Sequence, residues 1–109
     1  MVNLSTLRLD GKTIHLGGVI PPDATRPCPL DDGAVVTCLD RGVSAFEYFL
    51  HDKRVTCAAG TENVQCRAGR SNVSEWLIRS GWVRNGLPAN KTFSTAEAEA
   101  RKAKLGLWK

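Results

Sequence analysis

The side chains with the most reactive chemistry are four cysteines, Cys28, Cys38, Cys57 and Cys66, separated by nine, eighteen and eight residues. Zinc sites place their ligands in close pairs of the Cys-x-x-Cys kind, and no such pair occurs here. An even number of cysteines in so short a chain points instead to two disulfides and an oxidising compartment. Four cysteines allow three pairings. The two short loops favour Cys28 with Cys38 and Cys57 with Cys66, each bond removing roughly 2.5–3 kcal/mol of loop-closure entropy from the unfolded chain. The two histidines, His15 and His51, would have to serve any Ser/His/Asp hydrolase, but the Gly-x-Ser-x-Gly elbow of one hydrolase class is absent. His51-Asp52-Lys53 reads as a polar helix end.

These groups need elements to hold them. Leu4-Ser-Thr-Leu-Arg-Leu9 and Lys12-Thr-Ile-His-Leu16 flank Asp10-Gly11, a type I′ turn pair, and so predict a hairpin. Leu7, Leu9, Ile14 and Leu16 would share its core face, and Thr6, Arg8, Thr13 and His15 the polar one. Pro21, Pro22, Pro27 and Pro29 predict an irregular loop. Leu39, Val43, Phe46 and Leu50 recur at helical spacing. Arg54–Cys57 and Asn63–Cys66 read as strands around an Ala-Ala-Gly turn. Asn72 with Glu75 predicts a capped helix ending at Gly81, and Ser94 with Glu97 a last helix over Thr95–Leu105, closed by Gly106. In that helix Glu97 would pair with Arg101, and Arg101, Lys102 and Lys104 would complement the dipole, so this basic cluster has a structural use.

With 109 residues the chain has room for one domain, residues 1–109, and its 42% hydrophobic and 24% charged residues are those of a globular fold. No stretch approaches the roughly 18 apolar residues of a membrane span. Met1 to Leu9 alternates like a strand and lacks the apolar block of a signal peptide. The net charge of +4 permits attraction to phosphate or acidic polysaccharide without requiring either.

Three blocks carry a resemblance: Asp10-Gly-Lys-Thr-Ile-His-Leu-Gly-Gly-Val-Ile-Pro-Pro-Asp23, Trp76-Leu-Ile-Arg-Ser-Gly-Trp82, and Ala96-Glu-Ala-Glu-Ala-Arg-Lys-Ala-Lys-Leu-Gly-Leu-Trp108. In order and spacing they resemble the staphylococcal nuclease (thermonuclease) family, and the cysteine positions look like those of its secreted bacterial members. The resemblance implies an α+β, mainly β fold: a five-stranded OB-type barrel with three helices, in which Trp76, Trp82 and Trp108 are core residues. It also implies a calcium-dependent phosphodiesterase chemistry, with carboxylates on the metal and two arginines on the phosphate.

This chain departs from that chemistry. His15 stands where the family has the arginine of Ile-Arg-Leu, and Ile20 where it has the aspartate of Ile-Asp-Ala-Pro-Glu. Asp23 replaces the glutamate of that motif, one methylene shorter. Ser5 falls near the first metal-binding aspartate, and the loop that carries the second arginine is missing between Cys57 and Cys66. Loss of one charge-stabilising donor typically costs about 10²–10³ in rate, and here several are altered together. The resemblance therefore implies a non-catalytic binding or scaffold module, periplasmic or secreted, with no cofactor. Its ligand groove would lie around His15, Asp23 and Arg26, with Arg67 and Arg70 as neighbours. Nucleic acid or another polyanion bound weakly, a protein and a polysaccharide are the candidate partners. The alternative is a weak calcium-dependent nuclease in which Asp10 or Glu62 substitutes for a lost carboxylate.

Overall fold

A computed structural model describes residues 4–9 and 11–109. In chain order they form β1 (Thr6–Leu9), β2 (Lys12–His15), β3 (Val19–Ile20), α1 (Cys38–Leu50), β4 (Val55–Cys57), β5 (Cys66–Ala68), β6 (Ser71–Asn72), α2 (Val73–Arg79), β7 (Arg84–Asn85), α3 (Lys91–Lys102) and a final 3₁₀ turn, Gly106–Trp108. β1 and β2 pair in the expected register, Leu7 opposite Ile14 and Arg8 opposite Thr13. Gly11 follows with φ +79°; Asp10, the other half of the predicted turn, lies outside the described residues, as do Met1 to Asn3. Leu7, Ile14 and Leu16 are buried. On the face expected to be polar, Arg8, Thr13 and His15 are largely exposed, whereas Thr6 is buried against the core.

The fold is α+β with three helices, but among the described residues the strands form three small antiparallel sheets, β1-β2, β3-β7 and β4-β5-β6, and no closed five-stranded barrel. A barrel needs continuous ladders around its circumference. Here Gly17-Gly18 breaks β2 from β3, and the proline loop carries the chain away after Ile20. A single parallel bridge, Leu16 to Val64, links the first hairpin to the second. That bridge also moves the predicted strand Asn63–Cys66. Asn63 takes φ +52°, and Val64 turns to the first hairpin, its N–H donating to the His15 carbonyl at 2.9 Å and its carbonyl accepting from Gly17 N–H at 3.0 Å. β5 therefore starts at Cys66, directly opposite Cys57.

Thr37 caps α1 through its hydroxyl, 3.0 Å from Asp40 N–H, and Phe46 is the helix's fully buried anchor. Asn72 caps α2 as expected, accepting from Glu75 N–H at 2.9 Å. The predicted start of the last helix is corrected. Asn90, accepting from Phe93 N–H at 3.0 Å, is the cap, so Ser94 lies one turn inside. Its hydroxyl donates to the Pro88 carbonyl at 2.9 Å, and Glu97 reaches across to β7 instead of back to Ser94. Packing of this helix on α2 and β7 decides where it begins, and local capping pairs are only candidates.

The main core gathers Leu4, Leu7, Ile14, Phe46, Val73, Leu77, Ile78, Val83 and Phe93. A second, small cluster consists of Cys28, Cys38 and Leu107, with Trp108 against it. Both predicted disulfides are present, Cys28–Cys38 and Cys57–Cys66. Among the described residues no helix is long and apolar enough to cross a membrane.

Candidate functional site

After β3, Pro21-Pro22 bars any regular strand and delivers Asp23 to a tight turn. Its Oδ1 accepts from the Thr25 backbone N–H at 2.8 Å and from the Thr25 hydroxyl at 2.7 Å, while Arg26 N–H donates to the Asp23 carbonyl at 3.1 Å. The backbone donor first, and then the hydroxyl, hold the Asp23 carboxyl below its ordinary value, outweighing a slight desolvation that acts the other way. With Oδ1 accepting twice and the pKa lowered, the carboxylate is a weaker base than a free one, further from the pKa near the working pH that a general base needs.

Ile20 pairs with Arg84 across β3-β7 and is half exposed. Ser5 precedes β1, its carbonyl accepting from Leu16 N–H at 2.8 Å. His15 sits at the end of β2 with Nε2 3.8 Å from Glu62 Oε1. Glu62, one of the carboxylates that could substitute for a lost ligand, thus faces a histidine; Asp10, the other, lies outside the described residues. A calcium shell takes about six to eight oxygens. Ile20 offers none and Asp23 one carboxylate already shared with Thr25, so the donors at these positions do not fit that ion.

Arg26 turns away from this loop. Its Nη2 donates to the Leu107 carbonyl at 2.5 Å, and it lines a cleft of about 370 Å³ with Cys28, Pro29, Asp31 and Lys109. Arg67 and Arg70 are elsewhere: Arg67 Nη1 donates to the Arg70 carbonyl at 3.1 Å, and both line a cleft of about 280 Å³ with Ser71, Asn72, Glu75, Trp76 and Arg79. A second cleft of about 390 Å³ shares Arg67, Asn72 and Glu75 with it and extends to Gln65, Leu87 and Asn90. Its floor is tied together by Asn72 Nδ2 donating to Gln65 Oε1 at 2.9 Å and Gln65 Nε2 donating to the Gly17 carbonyl at 3.1 Å.

The residues of the predicted groove engage three separate sets of partners. Asp23 and Arg26 share a turn, His15 is beside Glu62, and Arg67 and Arg70 share a cleft that has no lining residue in common with that of Arg26. Arg79 and Gln65 were not among the sequence candidates. Arg79 had a legible signal, four residues after Glu75, and it binds both Glu75, at 3.0 Å, and Glu99. Gln65 had none, because its role depends on the unpredicted turn at Asn63.

Of the basic residues near the end of α3, Arg101 has the partner expected of it. Arg101 reaches Glu97 at 3.3 Å and lies 4.3 Å from the Trp108 ring centroid. Among the described residues no group of three or more His, Cys, Asp or Glu side chains is placed to hold a metal. Compared with known proteins, the chain matches no family model and no curated protein.

Proposed function

We propose that this chain is a degenerate relative of the staphylococcal nucleases that acts outside the cytoplasm as a non-catalytic binding module, with weak affinity for polyanions. The observation that carries the reading is the engagement of Asp23. The one carboxylate retained from the family motif caps its own turn through Thr25 and is held in its weakly basic form. Ile20, three residues earlier in the same motif and with no oxygen to offer, removes the companion ligand. The three sheets are then arcs of one OB-like barrel, a reading supported by the Leu16 to Val64 bridge between the first and second hairpins. The two disulfides support an oxidising compartment.

The test is cleavage of single-stranded DNA and RNA with calcium at alkaline pH, comparing the wild type with Asp23→Ala and His15→Ala prepared identically. Equal, background-level rates for all three are expected. Calcium-dependent cleavage lost in either variant would overturn the proposal in favour of a weak nuclease.

A further inference from the structure

Four of the chain's fifteen lysines and arginines converge on one face. In the sheet β4-β5-β6, Thr56 is set against Arg67 and Arg67 against Asn72, so these three share one side of the sheet, and Val55 and Ala68 the other. Alternation places Arg54 on the Thr56 side, and Gly69 N–H donates to the Arg54 carbonyl at 3.1 Å, holding that strand end against the β5–β6 turn. Gly69 adopts φ +62°, a conformation glycine takes without strain, and the turn it makes brings Arg70 beside Arg67. Lys53 lies above, its Nζ donating to the Phe49 carbonyl at 2.6 Å.

Lys53, Arg54, Arg67 and Arg70 are all exposed, and among the described residues none of them has a carboxylate partner. Glu75, the carboxylate in the cleft, is spent on Arg79, which Glu99 also binds. Clustered like charge works against the compact state, and the folded chain supplies nothing to neutralise it. Guanidinium forks match tetrahedral oxyanions in bidentate geometry, and the cleft of about 280 Å³ beside Arg67 and Arg70 has room for one. Nucleic-acid bases would need an open aromatic face. Trp76, the aromatic residue of this cleft, is stacked on Phe49, with centroids 4.1 Å apart and planes 11° from parallel.

We propose that this face binds a polysaccharide bearing sulfate or phosphate esters, seating one oxyanion between Arg67 and Arg70 and further ones on Arg54 and Lys53. The proposal names the polyanion of the binding role proposed above and rests on that part of it, but not on the loss of catalysis, so the titration below and the cleavage assay can fail separately. The test is calorimetric titration of the whole chain with a heparin-derived hexasaccharide at about 50 and 200 mM salt. Inorganic sulfate and inorganic phosphate serve as separate competitors, to show which ester is preferred. Arg67→Gln and Arg70→Gln should each weaken binding about tenfold, the loss of one charge-assisted contact, and each should flatten the salt dependence. Lys102→Gln, an equal change in net charge on α3, should weaken it less than about twofold. All three positions are exposed, and circular dichroism melts check that the variants fold. No binding of the hexasaccharide, or an equal loss in Lys102→Gln, would overturn the site. Tighter binding of a single-stranded oligonucleotide of the same charge would overturn the choice of a polysaccharide.

Discussion

Replacing Cys28 and Cys38 together by alanine is expected to cost more stability than replacing Cys57 and Cys66, although the two bonds span nearly equal stretches of chain, 10 and 9 residues. The loop-closure entropy removed from the unfolded state is therefore the same for each, about 2.7 kcal/mol. The folded state distinguishes them. Cys28 and Cys38, 6% and 0% exposed, are two of the three buried members of the second cluster, and the third is Leu107, 3% exposed. Without the sulfurs the cluster loses two methylene-sized groups, about 0.8 kcal/mol each, and Leu107 regains water contact worth roughly 1 kcal/mol. Cys66 lies in a much larger core and Cys57 is only partly buried, so their loss adds about 1 kcal/mol to the entropic share. The totals are about 5 and 4 kcal/mol. With an unfolding entropy of about 2.1 cal/mol/K per residue, each kcal/mol is about 4 °C in Tm for a chain of this length. The Cys28/Cys38 variant should therefore melt about 5 °C below the other. Calorimetry measures the difference, and amide exchange locates it. Leu107 N–H, which donates to the Gly81 carbonyl at 2.8 Å, should lose protection in the first variant and keep it in the second. Equal or reversed melting temperatures, or unchanged protection at Leu107, would refute the assignment of the second cluster to this bond.

Glu97 is 18% exposed and accepts from the Asn85 backbone N–H at 2.7 Å as well as pairing with Arg101. Glu97→Ala should cost about 2 kcal/mol in urea unfolding, and a loss below about 0.5 kcal/mol, the scale of a surface ion pair, would show that the Asn85 bond contributes nothing. Gly81 has φ +82°, and a Cβ there would stand against the Leu105 backbone, whereas Gly33, at φ +86°, has open space around it. Gly33→Ala should cost about 1–2 kcal/mol for the backbone alone, and Gly81→Ala distinctly more. Similar melting points would refute the close packing of Gly81 on the C-terminal turn. The Asp23 pKa is lowered in the fold relative to its ordinary 3.8. Its contribution to stability is thus complete above that value and is lost as the pH falls through the folded pKa. Thr25→Ala removes the hydroxyl share, and an NMR titration of Asp23 should then move back toward 3.8; an unmoved midpoint would refute that bond.

Patterns that depend on near neighbours were legible before any coordinates. The register of β1 and β2 follows from alternation around Asp10-Gly11, the Asn72 cap from an asparagine ahead of an apolar period, and the disulfide pairing from loop length. Each is set by interactions within about ten residues, which side-chain type and spacing control. Glu97 with Arg101 belongs with them, being four residues apart on one helix.

What tertiary structure decided were choices among competing local options. Asn90 and Ser94 both satisfy the rules for a helix cap, and packing against Pro88 and Asn85 chose between them. Val64 carries a strand-like side chain but is drawn to the first hairpin, which displaces β5 and sets Gln65 in the floor of a cleft. Asp23, Arg26, His15 and Arg67 were grouped by motif position, yet their partners lie at Thr25, Leu107, Glu62 and the Arg70 carbonyl. Nor does residue type reveal that Lys53, Arg54, Arg67 and Arg70 share one face. That depends on where β5 begins opposite β4, which the bridge at Val64 and the turns at Asn63 and Gly69 set.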